Sequence, residues 1–223
     1  MKIQSKIKDY QVEMIDDALS KRDKVFSNLK YDNLFFFVDG NVSRIYKDKL
    51  SSFIEKDFHY VIEALETNKE FKKLSEFYDI LIEKRFTHND VIVTIGGGIL
   101  QDISGFIAST FYRGVKWVFL PTTLLSQADS CIGSKTSINF KDSKNLIGSF
   151  YPPDKIFIDV GFCDTLTPEY FNSGLGEIIK FHLLSDKNRY NLLKEYLSSQ
   201  DLRKDDIFKE IIWSTLKLSL IHI

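Results

Sequence analysis

Four stretches of the chain combine residue types and spacings that can do chemistry. The first is Gly96-Gly97-Gly98-Ile99-Leu100-Gln101-Asp102, where a β-branched run meets a helical pattern. Residues without a Cβ let backbone N–H groups approach a pyrophosphate, and the helix N-terminus behind them favours its negative charge. Three glycines also make ordinary strand-to-helix turns, and the string is not the Gly-x-Gly-x-x-Gly fingerprint, so the motif alone leaves both readings open. The second is Asp39-Gly40-Asn41. A carboxylate and an amide at a strand end can hydrogen-bond ribose hydroxyls, although Asp-Gly-Asn is equally good turn chemistry.

The third stretch is the densest. Arg113, Thr122, Thr123, Asp129, Lys135, Asn139, Lys144 and Asn145 are interleaved with Gly114, Gly133 and Gly148. A phosphorylated polyol needs cations for its phosphate and carboxylate or amide partners for its hydroxyls. The plain alternative is a solvated loop. The fourth stretch, Ser173 to His182, places Glu177 and Lys180 at i and i+3 on one helix face. That is either an exposed ion pair or a carboxylate metal ligand beside a substrate lysine. His182 is five residues from Glu177, about 140° around a helix, so the two do not converge on one metal. His59, His88 and His222 have no ligand spacing either. The chain alone is expected to lack a complete zinc site.

The elements that position these residues alternate. Residues 34–42 (LFFFVDGNV) read as a buried strand ending at Asp-Gly, and 43–56 as a helix. Residues 59–65 follow as a strand, and 69–86 as an amphipathic helix through Phe71, Leu74, Phe77, Tyr78, Leu81, Ile82 and Phe86. Residues 90–98 and 116–123 are further strands. Strand and helix in alternation predict an α/β fold, a parallel sheet with helices on its faces. From about Pro168 only helical patterns continue, which sets a boundary near 160–168. The chain ends at Leu-Ile-His-Ile inside an apolar pattern, so the helical part reads as incomplete.

Composition narrows the class. The chain has 223 residues, 43% hydrophobic and 27% charged, with 30 basic and 31 acidic side chains and a formal charge of -1. There is no basic excess for a phosphate-backbone footprint, which argues against nucleic acid as a partner. No apolar run approaches the ~20 residues of a membrane span, and the N-terminus has no signal-peptide core. Cys131 and Cys163 make no disulfide framework. The expectation is a soluble, cytoplasmic enzyme or small-molecule binder.

Taken together, GGGILQDISGFIASTFYRG, PTTLLSQADSCIGSKTSIN, KNLIGSFYPP and SGLGEIIK resemble the sugar-phosphate cyclases, of which 3-dehydroquinate synthase is the commonest member. The match is strong over roughly residues 90–182 and weaker through VDGNV and Glu66-x-x-Lys69. The glycine turn is also similar to that of iron-type alcohol dehydrogenases, but PTTLLSQADS with KNLIG points to the cyclases. The resemblance implies a Rossmann-like NAD-binding domain over 1–165 and the start of an α-helical metal and substrate domain over 166–223, with the active site between them. It implies NAD and a divalent metal, zinc or cobalt, as cofactors, a heptulose phosphate as substrate, and a homodimer for the full-length enzyme. In such enzymes NAD oxidises a ring hydroxyl, phosphate leaves by β-elimination, the hydride returns, and an aldol step closes a carbocycle.

By position, the resemblance assigns Asp39, Asn41, Glu66 and Lys69 to the adenosine side of NAD and Gly97, Gly98 and Asp102 to the pyrophosphate turn. Thr122, Thr123, Lys144 and Thr165 complete the cofactor site. Arg113, Asp129, Lys135, Asn145 and Lys180 match substrate-contacting positions, and Lys217 a further lysine. Glu177 matches the single carboxylate metal ligand. The family completes that metal site with two histidines in a later region that this chain does not contain. Gly133-Ser134-Lys135-Thr136 and Tyr151-Pro152-Pro153 depart from the usual Gly-Gly-Lys-Thr and Tyr-Gln-Pro of the dehydroquinate synthases. The first expectation is therefore conversion of 3-deoxy-D-arabino-heptulosonate 7-phosphate to 3-dehydroquinate, the shikimate-pathway reaction that precedes aromatic amino acids. The alternatives are a cyclase of sedoheptulose 7-phosphate or a related heptulose phosphate, like 2-epi-5-epi-valiolone synthase, and a non-catalytic NAD-binding fragment.

Overall fold

The computed structural model describes residues 1–199, 201–203 and 206–222, with the side chain of His222 outside the described set. Its strands are β1 (Lys2–Ile3), β2 (Tyr10–Met14), β3 (Leu34–Asp39), β4 (Phe58–Ile62), β5 (Val91–Gly96), β6 (Lys116–Pro121), β7 (Lys135–Phe140), β8 (Ser143–Phe150) and β9 (Lys155–Ile158). Its helices are α1 (Arg22–Phe26), α2 (Gly40–Ile45), α3 (Lys47–Ile54), α4 (Leu74–Glu83), α5 (Gly98–Thr110), α6 (Pro168–Leu183), α7 (Lys187–Leu197) and α8 (Asp206–His222).

Seven strands form one sheet in the order β1-β2-β9-β6-β5-β3-β4, parallel except for β1. Every residue of β3 and β5 is buried, as expected for central parallel strands covered on both faces. Their side chains alternate between two cores. Phe35, Phe37, Ile92, Trp117 and Phe119 join the core beneath α4 and α5. Leu34, Phe36, Val38, Val91 and Val93 face the opposite core with Val25, Phe26, Leu50 and Phe53 of α1 and α3. The result is a three-layer α/β fold.

Among the described residues, helices α6, α7 and α8 have no separate core. Phe171, Ile178, Leu193, Tyr196, Phe208 and Leu216 belong to the same apolar cluster as the β5–β6 face. Between the sheet and these helices, Ser126–Ser130 makes one wide π-type turn. Gly174 of α6 lies against it so closely that an added Cβ would stand 2.5 Å from the Leu125 nitrogen.

Two helices differ from the sequence expectation, and one hairpin is not anticipated in it. The helix anticipated over 43–56 breaks at Tyr46 (φ -107°, ψ 26°) into α2 and α3. The helix anticipated from 69 begins at Leu74, because Glu70 is extended and bridges to Asn139. Within 113–145 the strand anticipated over 116–123 is present as β6, and the plain alternative of a solvated loop does not hold. The stretch also contains the π turn and the first strand of the antiparallel hairpin β7–β8, which packs on α5.

Candidate functional site

In a parallel sheet all strands end at one edge, and a ligand crevice opens where successive connections leave in opposite directions. Here the chain passes from β3 outward to β4, then returns to the other side of β3 as β5. Asp39 and Gly96 therefore end neighbouring strands. A Cβ on Gly96 would lie 3.3 Å from that of Asp39. Gly97 takes an extended conformation and starts α5, whose N-terminal amides face the crevice. There a Cβ on Gly97 would be 2.9 Å from Thr123 Cγ2, so a side chain there would crowd Thr123 and force it to shift.

A cavity of about 600 Å³ opens at this point. Its wall includes Asp39, Asn41, Lys69, Gly97, Gly98 and Thr122, together with Thr123 and Thr165. Apolar lining comes from Val42, Ile45, Tyr46, Ala64, Phe162 and Leu166 among others. Eight of the cofactor positions assigned from the resemblance are thus brought to one wall. Asp39 accepts hydrogen bonds from the Asn41 amide at 2.7 Å and the Val42 amide at 3.4 Å, which caps α2. Burial pushes its carboxyl above the usual range, against the pull of those two amides. Tyr46 closes one side through a 3.0 Å hydrogen bond between its hydroxyl and that of Thr165.

Behind the wall is a polar network. Lys69, only 5% exposed, donates to Asp102 Oδ2 and to Asn145 Oδ1, each at 2.7 Å. The Ser137 amide donates to Asp102 at 2.9 Å and its hydroxyl to Asn145 at 2.9 Å. Asn139 donates to Glu66 Oε1 at 2.8 Å and accepts from the Asn145 amide at 2.8 Å. Burial raises the Asp102 carboxyl, and Lys69 opposes that rise.

A second cleft of about 330 Å³ shares Gly98 and is lined by Gln101, Asp102, Asp129, Ser130, Lys135, Phe181 and Ser219 among others. Ser219 of α8 donates to Asp129 Oδ1 at 2.6 Å, fixing a carboxylate of the π turn from a helix ninety residues away. Ser130 and Gln101 hold each other by paired hydrogen bonds. The cleft thus offers one lysine, two carboxylates and hydroxyls around the glycine turn that also borders the larger cavity.

The remaining assigned residues line neither cleft, although Glu177 lies one turn of α6 from both Ser173 of the cavity wall and Phe181 of the cleft. Arg113 is exposed, at the far end of the 13-residue α5 from the glycine turn, about 20 Å away at 1.5 Å per residue. Lys144 lies on the exposed face of β8 and Lys217 on the exposed face of α8. Glu177 and Lys180 pair with each other on α6. His182 is buried, its Nδ1 2.9 Å from the Ile178 carbonyl and its Nε2 3.1 Å from the Ser214 hydroxyl. Among the described residues no three His, Cys, Asp or Glu side chains gather to hold a metal ion. No helix among them is long and apolar enough to cross a membrane.

Sequence reasoning did not single out Ser219, Phe181, Tyr46 or Ser137. Each sits in an ordinary local pattern and reaches its site only through tertiary packing, so no local signal marks it.

Residues 59–173 match the family model described as 3-dehydroquinate synthase N-terminal. A 3-dehydroquinate synthase from Clostridium tetani is 40% identical over 188 residues, covering 81% of this chain and 50% of that protein. The chain spans about half the length of such curated relatives. Among solved structures, a 2-epi-5-epi-valiolone synthase from Streptomyces hygroscopicus with NAD+ and Zn2+ bound superposes with a TM-score of 0.86 at 26% identity, covering 98% of this chain and 62% of that one. A 2-deoxy-scyllo-inosose synthase with carbaglucose-6-phosphate, NAD+ and Co2+ gives 0.83 at 20% identity, covering 98% and 61%, a likeness of fold.

Proposed function

The chain belongs to the 3-dehydroquinate synthase family, and from that premise we propose that it forms the NAD-binding part and first helices of an enzyme that eliminates phosphate from 3-deoxy-D-arabino-heptulosonate 7-phosphate and closes the carbocycle of 3-dehydroquinate. The observation that carries this reading is the meeting of two clefts at Gly98: one has the size and lining for a dinucleotide, the other a lysine and carboxylates for a phosphorylated polyol. Residues 1–165 hold the cofactor and 166–223 begin the substrate side. The full-length enzyme is a cytoplasmic homodimer in this reading.

NAD fits the residues present. The crowded Gly97 backbone and the α5 N-terminus leave room and positive potential for a pyrophosphate. Asp39 and Asn41 accept from ribose hydroxyls, and Lys69 lines the same wall. When bound, NAD supplies a reversible hydride acceptor that lets a ring hydroxyl be oxidised and the adjacent C–H acidified. Lys135 holds the substrate phosphate by charge. Asp129, fixed by Ser219, accepts from substrate hydroxyls and orients the ring against the glycine turn. A divalent metal belongs to the proposed complete enzyme, but the described residues offer it only Glu177, already paired with Lys180. They do not make a metal site, since catalytic zinc takes three protein ligands.

Titration of the chain with NAD, followed by phosphate release from the heptulosonate phosphate with NAD and zinc present, tests the reading. NAD binding and phosphate release without NADH accumulation are expected of the complete enzyme. Release from sedoheptulose 7-phosphate instead would favour the related cyclase reaction, for which the 0.86 superposition on a 2-epi-5-epi-valiolone synthase speaks. NAD binding with no release from either sugar, even in the complete enzyme, would leave a binding protein.

A further inference from the structure

The cavity has a charged rim that the dinucleotide reading does not use. Arg44, in the last turn of α2, donates to Glu63 just after β4, Nη1 to Oε1 at 2.8 Å and Nη2 to Oε2 at 3.3 Å. The same Nη2 also donates to Asn41 Oδ1 at 2.7 Å. Asn41 lines the cavity, so the pair stands at its edge. Gly40 makes room for it, because a Cβ there would collide with the Glu63 carboxyl. The turn after β3 therefore seats the Glu63 carboxylate over Gly40, where a side chain would have to push it aside.

We propose that Glu63, by occupying Arg44, sets the preference of this cavity for a dinucleotide without a 2′-phosphate, and that Arg44 is a latent 2′-phosphate ligand. The proposal rests on the cavity taking a dinucleotide. The substrate cleft meets the cavity at Gly98, so the nicotinamide end must face Asp129 and Lys135, and the adenosine end runs toward Asp39 and Asn41. A ribose there has hydroxyl partners in Asp39 and Asn41. A 2′-phosphate there meets two carboxylates, Asp39 and Glu63, while the adjacent arginine has its fork filled. In dinucleotide-binding folds an acidic residue reads the free 2′-hydroxyl and an arginine accommodates the phosphate; here Asp39 is the acid beside the ribose and the arginine is bonded to a second acid, Glu63.

The ion pair is more than half exposed, so it contributes little to stability and its removal leaves the fold intact. Arginine binds phosphate bidentately once its fork is free. Removing the Glu63 charge thus does two things at once: it lifts a repulsion and releases a ligand.

Equilibrium titration with NAD and NADP, read by calorimetry, tests this on the wild type, Glu63→Gln, Arg44→Gln and the double variant. Wild type is expected to favour NAD, and Glu63→Gln to narrow the NAD-to-NADP affinity ratio about tenfold, mostly by tightening NADP. In the double variant the gain is expected to vanish, since it runs through Arg44. NAD binding with an unmoved ratio in Glu63→Gln overturns the proposal alone. Survival of the gain without Arg44 overturns the arginine's role as ligand. Failure of the wild type to bind NAD overturns the dinucleotide reading and this proposal with it.

Discussion

The Lys69 ammonium lies 2.7 Å from the Asp102 carboxylate, and this contact joins the wall of the larger cavity to the first turns of α5. Both groups are largely withdrawn from water, Lys69 almost completely. Breaking such a pair from one side strands a buried charge, at a cost of about 3–5 kcal/mol. Asp102 has an outlet that lowers this cost, because burial already raises its pKa from 3.8 and loss of Lys69 would raise it further. A carboxyl whose folded pKa lies above its unfolded value stabilises the fold below the unfolded value and loses that contribution as pH rises through the folded one. Lys69→Met is therefore expected to be most destabilising at pH 8 and less so at pH 5, with much of the loss recovered by adding Asp102→Asn. Urea unfolding at the two pH values checks this, and an equal loss at both would show that Asp102 stays charged.

Gly174 is the point where α6 touches the turn after β6. A Cβ added there would stand 2.5 Å from the Leu125 nitrogen and 2.6 Å from Leu124 Cβ, main-chain and near-main-chain atoms that cannot swing away. Overpacking of this kind costs about 1–3 kcal/mol. Gly174→Ala is expected to lower the thermal midpoint and, by lifting α6 off Leu124, to loosen the cleft around Asp129. Gly176 serves as the control. A Cβ added at Gly176 would meet nothing within 4 Å, so Gly176→Ala is expected to keep or raise the midpoint.

His182 gives the α6–α8 contact a pH dependence. Its ring lies buried between the Ile178 carbonyl and the Ser214 hydroxyl, an arrangement that suits a neutral ring donating through Nδ1 and accepting through Nε2. Burial holds its pKa below 6.5. The unfolded chain therefore takes up the proton first on acidification. The stabilising contribution is full above pH 6.5 and falls as pH drops toward the folded value. Thermal melts between pH 7.5 and about 5 are expected to show this decline in the wild type and a flatter profile in His182→Gln. Parallel profiles would place the acid sensitivity elsewhere.

The sequence discloses the parts of the molecule that obey a period. Strands β3 and β5 are legible because both faces are buried, so their residues form apolar runs with abrupt ends at Asp39-Gly40 and Gly96-Gly97. The hairpin is not legible. Most of β8 is exposed, so no alternation marks it, and its turn uses Lys141 in a left-handed conformation (φ 53°) where a glycine or asparagine would announce a hairpin. The same contrast holds in the site. Gly97, Gly98 and Asp102 form one local string. Lys69 meets Asn145 across the fold, and Asp129 meets Ser219 from the last helix, and neither relation leaves a local trace. Arg113 shows the limit of reading by position, since α5 carries it to the end opposite the glycine turn that opens the same string.

In the proposed function the two clefts separate two kinds of binding, and Lys135 and Asp129 are the residues that divide them. Both border the smaller cleft and neither lines the larger one. Lys135 is exposed at the start of β7, so replacing it removes a charge without opening the core. Lys135→Ala is expected to leave NAD affinity and thermal midpoint within experimental scatter and to weaken binding of a heptulose phosphate by at least about tenfold, the loss of one charge-assisted phosphate contact. Asp129→Asn keeps an acceptor for the Ser219 hydroxyl while removing the charge, so it is expected to preserve the fold and weaken the sugar more than the phosphate. Competition between the sugar phosphate and inorganic phosphate distinguishes the two: Lys135→Ala should lose affinity for both, Asp129→Asn for the sugar phosphate alone. If either variant lost NAD binding in the same proportion, the clefts would be one site, and the division of labour drawn from Gly98 would fail.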